Sequence, residues 1–133
     1  MLLTRERPVR WLAMRVPALY PDGDWDVPKA KLDKAAVRAY REHPPAPEQD
    51  RALSACTDFA GDVLVVASER DDRIPPTAIT AIQAAFRRAN SFSHRIIQGA
   101  THAMRDQRHQ RVYRRLLVGW IEEMVHGSRL PTG

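Results

Sequence analysis

Two short stretches carry the residue types that acid–base chemistry needs. Ser68-Glu69-Arg70-Asp71-Asp72-Arg73 holds three carboxylates, and Gly99-Ala100-Thr101-His102-Ala103-Met104 holds a histidine among mostly small residues. A carboxylate bonded to one imidazole nitrogen fixes the tautomer and stabilises the imidazolium. The other nitrogen is then free to act as a general base. Asp71 and His102 would be the acid and base of a hydrolytic triad, with Asp72 as the alternative acid. Asp72 also reads as a helix-leading carboxylate favoured by the macrodipole, and Glu69 as a solvated loop charge or, less favoured, a supporting partner behind the acid and the histidine. The third member of a triad is missing. Ser54, Ser68, Ser91, Ser93 and Ser128 all lie outside any Gly-flanked strand-to-helix turn, and Cys56 lacks such glycines too. His43, His94, His109 and His126 share no spacing typical of zinc sites, so no metal and no cofactor are expected.

Loops of this kind must be held by regular elements. Residues 63–67, Val-Leu-Val-Val-Ala, are a continuous apolar run of the kind that forms a strand covered on both faces. Pro75 and Pro76 suit a helix start, where the missing N–H would be unpaired anyway. Ile79, Ile82 and Phe86 then mark one helical face, with fraying expected near Asn90. Residues 94–98, centred on Ile96 and Ile97, form a second short strand. Val112, Leu116, Leu117, Trp120, Ile121 and Met124 give a closing helix with Gly127 as its C-terminal cap. Upstream, residues 9–16 suit a buried strand that ends at Pro17, and a Pro/Asp/Gly-rich loop runs to Pro28. A helix over 33–43 is capped by Asp33 and stopped by Pro44-Pro45. One helical turn is expected around 50–55. Strand, helix, strand, helix in succession is the pattern of an α/β fold with a parallel sheet. Adjacent parallel strands lie about 5 Å apart, close enough for a carboxylate and a histidine on neighbouring carboxyl-end loops to meet.

The chain has 133 residues, 44% hydrophobic and 28% charged, an ordinary globular composition that favours one domain. No apolar run is long enough to cross a membrane, and Met1-Leu2-Leu3 runs at once into Thr4-Arg5-Glu6-Arg7-Pro8, which leaves no room for a signal peptide. Cys56 is alone, so no internal disulfide exists, and a reducing cytoplasm is the expected location. The net charge is +5, and only Lys29, Lys31 and Lys34 among the basic residues are lysines. Arg105, Arg108, Arg111 and Arg114, with Arg115 beside them, would make a basic helix stripe. No aromatics interleave with it as a stacking platform would require, so a solvated helix face is expected rather than a nucleic-acid surface.

The two loops also carry a resemblance. Ser68-Glu69-Arg70-Asp71-Asp72-Arg73-Ile74-Pro75-Pro76, one helix, and then Gly99-Ala100-Thr101-His102-Ala103-Met104 resemble the C-terminal half of an α/β-hydrolase. That family shows a strand, a G-x-x-D-x-x-V-P-like acid loop, a helix, a strand and a G-A-x-H loop before its final helix. The ending Gly119-Trp120-Ile121-Glu122-Glu123-Met124-Val125-His126-Gly127 is similar to the family's closing helix. Ser68 stands where the pattern often has Gly. On this resemblance Asp71 takes the acid position and His102 the base. The family's nucleophile sits on a G-x-S-x-G elbow earlier in the chain, and no such elbow occurs in this sequence.

The resemblance implies a partial α/β-hydrolase fold, with about three parallel strands and flanking helices in a single domain over 1–133. Residues 1–60 would form strand, loop and helical connector, and residues 61–127 the strand–helix–strand–helix unit with the acid and histidine loops. The implied function is the C-terminal part of a serine hydrolase, esterase- or peptidase-like, acting on a small-molecule ester or amide. It would be inactive alone, with the elbow and oxyanion-hole loop upstream of Met1 in a truncated reading frame. Tyr20 and Trp25 would either line its substrate pocket or simply pack locally. Two other readings stand beside this one. The first is a small interaction protein derived from a hydrolase half, pairing with itself or with a missing N-terminal half, since a bare sheet edge is usually managed by association. The second is a basic nucleic-acid binder, whose affinity must fall with added salt.

Overall fold

The computed structural model describes residues 1–130. Three strands, β1 (Trp11–Arg15), β2 (Asp62–Arg70) and β3 (Ser91–Thr101), form one parallel sheet in the order β1-β2-β3. Trp11 to Arg15 pair with Asp62 to Val66, and Asp62 to Ser68 pair with Ser91 to Ile97. Five α-helices surround it: α1 (Leu3–Glu6), α2 (Lys34–Glu42), α3 (Arg51–Asp58), α4 (Pro76–Ala85) and α5 (Gln107–Arg129). The three-stranded α/β architecture with flanking helices agrees with the sequence expectation.

Both connectors start their helices with an aspartate. Asp33 accepts the N–H groups of Ala35 and Ala36 at 3.0 and 3.1 Å. Asp50, almost fully buried, accepts the Leu53 N–H at 2.7 Å and the Tyr40 hydroxyl at 2.6 Å. These bonds satisfy donors that a helix start otherwise leaves orphaned. The second cap explains why α3 runs a full Arg51–Asp58 rather than a single turn: it begins on a buried, doubly bonded anchor and lays Leu53 and Cys56 into the core.

Two cores form on the two sheet faces. Val63 and Val65 of β2 pack with Leu19, Leu53, Phe59, Ile74, Ile79, Ile82 and Phe86 under α3 and α4. Leu64 and Val66 turn the other way, onto Ile97, Met104 and Trp120 under α5. A strand wanted by both faces must be apolar throughout, which is why residues 63–66 do not alternate. The α5 face is the thinner one. Trp120 is the only fully buried residue of that helix, and Val112, Val118 and Ile121 remain exposed.

Other elements also depart from the sequence expectation at their ends: β1 is confined to Trp11–Arg15, and β2 runs on to Arg70. The helix after Pro75-Pro76 ends at Ala85, several residues before Asn90, because Phe86 leaves helical geometry to enter the core. β3 is 11 residues long instead of five, carried past Gln98 by Gly99 at φ +72°. Gly127 does not cap α5, which continues to Arg129. A glycine inside an exposed last turn costs only about 1 kcal/mol, and the Ser128 hydroxyl bonds the Val125 carbonyl beside it.

The outer edge of β1 has no strand partner among the described residues. Arg10 accepts from Asp62 and Val16 donates to Val66, so even-numbered residues face β2. The backbone groups of Trp11, Ala13 and Arg15 therefore point away from the sheet. No helix among the described residues is long and apolar enough to cross a membrane.

Candidate active site

β2 and β3 end side by side, and their carboxyl-end loops meet. Asp71 follows directly on Arg70, the last residue of β2, and His102 follows directly on Thr101, the last residue of β3. The His102 Nδ1 lies 2.9 Å from Asp71 Oδ2 and 3.2 Å from Oδ1. A carboxylate only accepts, so Nδ1 is the protonated nitrogen and donates to Asp71. The acid side chain is 5% exposed and the histidine 28%. This geometry buries the acid behind the imidazole and leaves the ring partly open to solvent. His102 Nε2 has no hydrogen-bond partner among the described residues.

The acid is held from below as well. Asp71 Oδ1 accepts the N–H groups of Arg73 and Ile74, both at 2.8 Å. Burial by itself would raise the carboxyl's pKa. The Ile74 N–H, the His102 ring and the Arg73 N–H together outweigh it and hold Asp71 below the ordinary carboxylate range. Asp71 is therefore held in its ionised form, as an orienting anion must be.

The histidine loop is tied down at several points. Glu69 accepts the Gly99 N–H at 2.6 Å, so this carboxylate fixes the approach to the loop instead of standing free in solvent. Arg15, at the end of β1, reaches across β2 to donate to the His102 carbonyl at 3.1 Å. Beyond His102 the chain turns sharply: Met104 adopts φ +47°, its N–H bonds the Thr101 carbonyl, and its own carbonyl accepts from Gln110. A non-glycine residue in the left-handed region costs about 1–3 kcal/mol. Here burial of the Met104 side chain against Trp120 and Ile97 offsets it. Asp106 then caps α5 by accepting the Arg108 N–H, and the Arg108 guanidinium beside it lowers its carboxyl pKa to about 2.

The remaining candidates are placed apart from this pair. Asp72 is exposed and makes no hydrogen bond to His102, which bonds Asp71 instead. Trp25 donates to the Tyr20 carbonyl at 3.3 Å and lies under the Arg51 guanidinium. With Tyr20, Leu2, Val27 and Leu32 it lines a cleft of about 390 Å³. Arg111, Arg114 and Arg115 are exposed along α5, and Arg108 is paired with Asp106. No cluster able to hold a metal ion occurs among the described residues. Sequence reasoning missed Arg15 and Arg41, and leaned away from Glu69 as a supporting partner. Val37 and Arg41 are the two buried positions of α2 and stand four apart on one face. That spacing was the available signal, hidden because an arginine on a polar helix reads as solvated.

No curated protein matches the sequence. The model of the prolyl oligopeptidase family matches residues 24–128, a span that contains both loops, Trp25 and most of α5. With that match over most of its length, and with the parallel sheet that such proteins share, the chain belongs to the prolyl oligopeptidase family of α/β-hydrolase fold.

Proposed function

We propose that this chain supplies the acid and the base of a serine hydrolase that cleaves an ester or amide bond, and that it is inactive alone. The observation that carries the reading is the 2.9 Å bond from His102 Nδ1 to a buried Asp71. With Nδ1 committed to Asp71, Nε2 takes the proton of a serine hydroxyl as that oxygen attacks the carbonyl carbon. Asp71 stabilises the imidazolium so formed. The same proton passes from Nε2 to the leaving alcohol or amine as the tetrahedral intermediate collapses. Water then repeats the sequence on the acyl-serine, with His102 again the base. The serine must come from polypeptide outside these 133 residues, because none of the five serines here stands on a G-x-S-x-G turn.

A fluorophosphonate probe tests the reading. The expected result is no labelling of the chain by itself; stoichiometric labelling at any of its serines would overturn the claim of a missing nucleophile. The reading frame upstream of Met1 offers a second check, with an in-frame G-x-S-x-G expected and stop codons directly upstream counting against it.

A second reading, a small interaction protein, is favoured by one observation: the outer edge of β1 has no strand partner among the described residues, and Val112, Val118 and Ile121 of α5 are exposed. Self-association in sedimentation, with no gain of activity on supplying a nucleophile-bearing half, would support it over the hydrolase reading.

A further inference from the structure

We propose that Arg41 is a positioning residue of the acid loop, holding Asp71 against His102 through the backbone of Arg73. Arg41 is 9% exposed, and its guanidinium bridges two segments, the loop at Leu19-Tyr20 and the acid loop at Arg73. Nε donates to the Leu19 carbonyl at 3.0 Å and Nη1 to the Arg73 carbonyl at 3.1 Å, while its Cζ lies 4.7 Å from the Tyr20 ring centroid. The Arg41 carbonyl in turn accepts the Thr77 hydroxyl at 2.8 Å, which ties α2 to the first turn of α4.

No carboxylate lies within ion-pairing distance of Arg41 among the described residues. A buried guanidinium without a counter-ion is costly, and an apolar side chain would fill the same space without that cost. What an apolar side chain could not do is hold two carbonyls from separate loops in one rigid fork. One of them belongs to Arg73, whose N–H donates to Asp71 Oδ1. Both main-chain polar groups of Arg73 are thus bonded, one to the acid and one to Arg41. The fork sets where the Arg73 and Ile74 N–H groups stand, and these set where the carboxylate points.

The role rests on the acid–base pairing proposed above, and its test separates the two. Amide hydrogen exchange and the hydrogen-bonded His102 Nδ1 proton are followed by NMR on the full chain in the wild type, Arg41→Met, Arg41→Lys and Val37→Ala. Val37→Ala loosens the same helix face without touching either carbonyl. Arg41→Met is expected to speed exchange of the Arg73 and Ile74 amides by about tenfold and to broaden the His102 Nδ1 proton. Val65 in the sheet centre should keep its protection. Arg41→Lys, which retains a cation and one donor, should show a smaller change in the same direction and carries the test if Arg41→Met does not fold. Val37→Ala should leave the loop amides at the wild-type rate relative to Val65. Loop amides and Nδ1 proton unchanged in the Arg41 variants, with that proton present in the wild type, would overturn the positioning role alone. A wild-type chain without a hydrogen-bonded His102 proton would overturn the pairing and the role together.

Discussion

At the scale of single residues, the site turns on how one buried carboxylate stays ionised. Three donors, the His102 ring and the N–H groups of Arg73 and Ile74, surround Asp71 and favour its charged form. Its folded pKa lies below its unfolded one, so its stabilising contribution is fully present above the ordinary aspartate value of about 3.9. That contribution is lost as pH falls through the lower folded value. Asp71→Asn, which resembles the protonated acid, should therefore destabilise the chain by about 1–3 kcal/mol near neutral pH. In urea melts that difference should shrink below about pH 4. A difference that grew on acidification would contradict the assignment. Cys56 provides a contrast. Burial pushes its thiol up to about 12, so alkylation by iodoacetamide at neutral pH should be slow in the folded chain and rapid in denaturant.

At the scale of elements, close packing decides which substitutions are felt. A Cβ on Gly61, at the turn into β2, would stand 2.2 Å from the Arg10 carbonyl oxygen and 2.7 Å from the Phe59 ring. The backbone cannot give way there without disturbing the β1–β2 register, so Gly61→Ala should cost about 1–3 kcal/mol. Gly119 lies mid-helix in α5 with nothing within 4 Å of its missing Cβ, and Gly119→Ala should stabilise by about 0.5–1 kcal/mol. Thermal melts of the two variants should move in opposite directions. β2 and the start of α4 were legible in the sequence because a run of branched apolar residues and a Pro-Pro pair are local signals. So were Asp33 as a cap and the two loops at the strand ends. The length of β3 was not legible, since it depends on pairing with β2 and on the left-handed conformation of Gly99. Nor was the extent of α3, which hangs on the burial of Asp50 and its bond to Tyr40, ten residues away. Arg15 and Arg41 were invisible for the same reason: both act on carbonyls 87 and 32 residues distant.

At the scale of the whole molecule, cover is unequal. One face of the sheet is roofed by α3 and α4, the other by α5 alone, and the β1 edge is open. An open parallel edge invites a further strand, and on the hydrolase reading proposed above a nucleophile-bearing segment would pair with it. A separately prepared polypeptide carrying such an elbow should restore phosphonate labelling that is lost again with His102→Gln. Labelling that survives His102→Gln would mean that the base lies elsewhere.

The pairing of Asp71 with His102 can be read most directly from the His102 Nδ1 proton by NMR in the isolated chain. A slowly exchanging downfield resonance is expected in the wild type and should vanish in Asp71→Ala. No such resonance, or one that persists without the Asp71 carboxylate, would contradict the account.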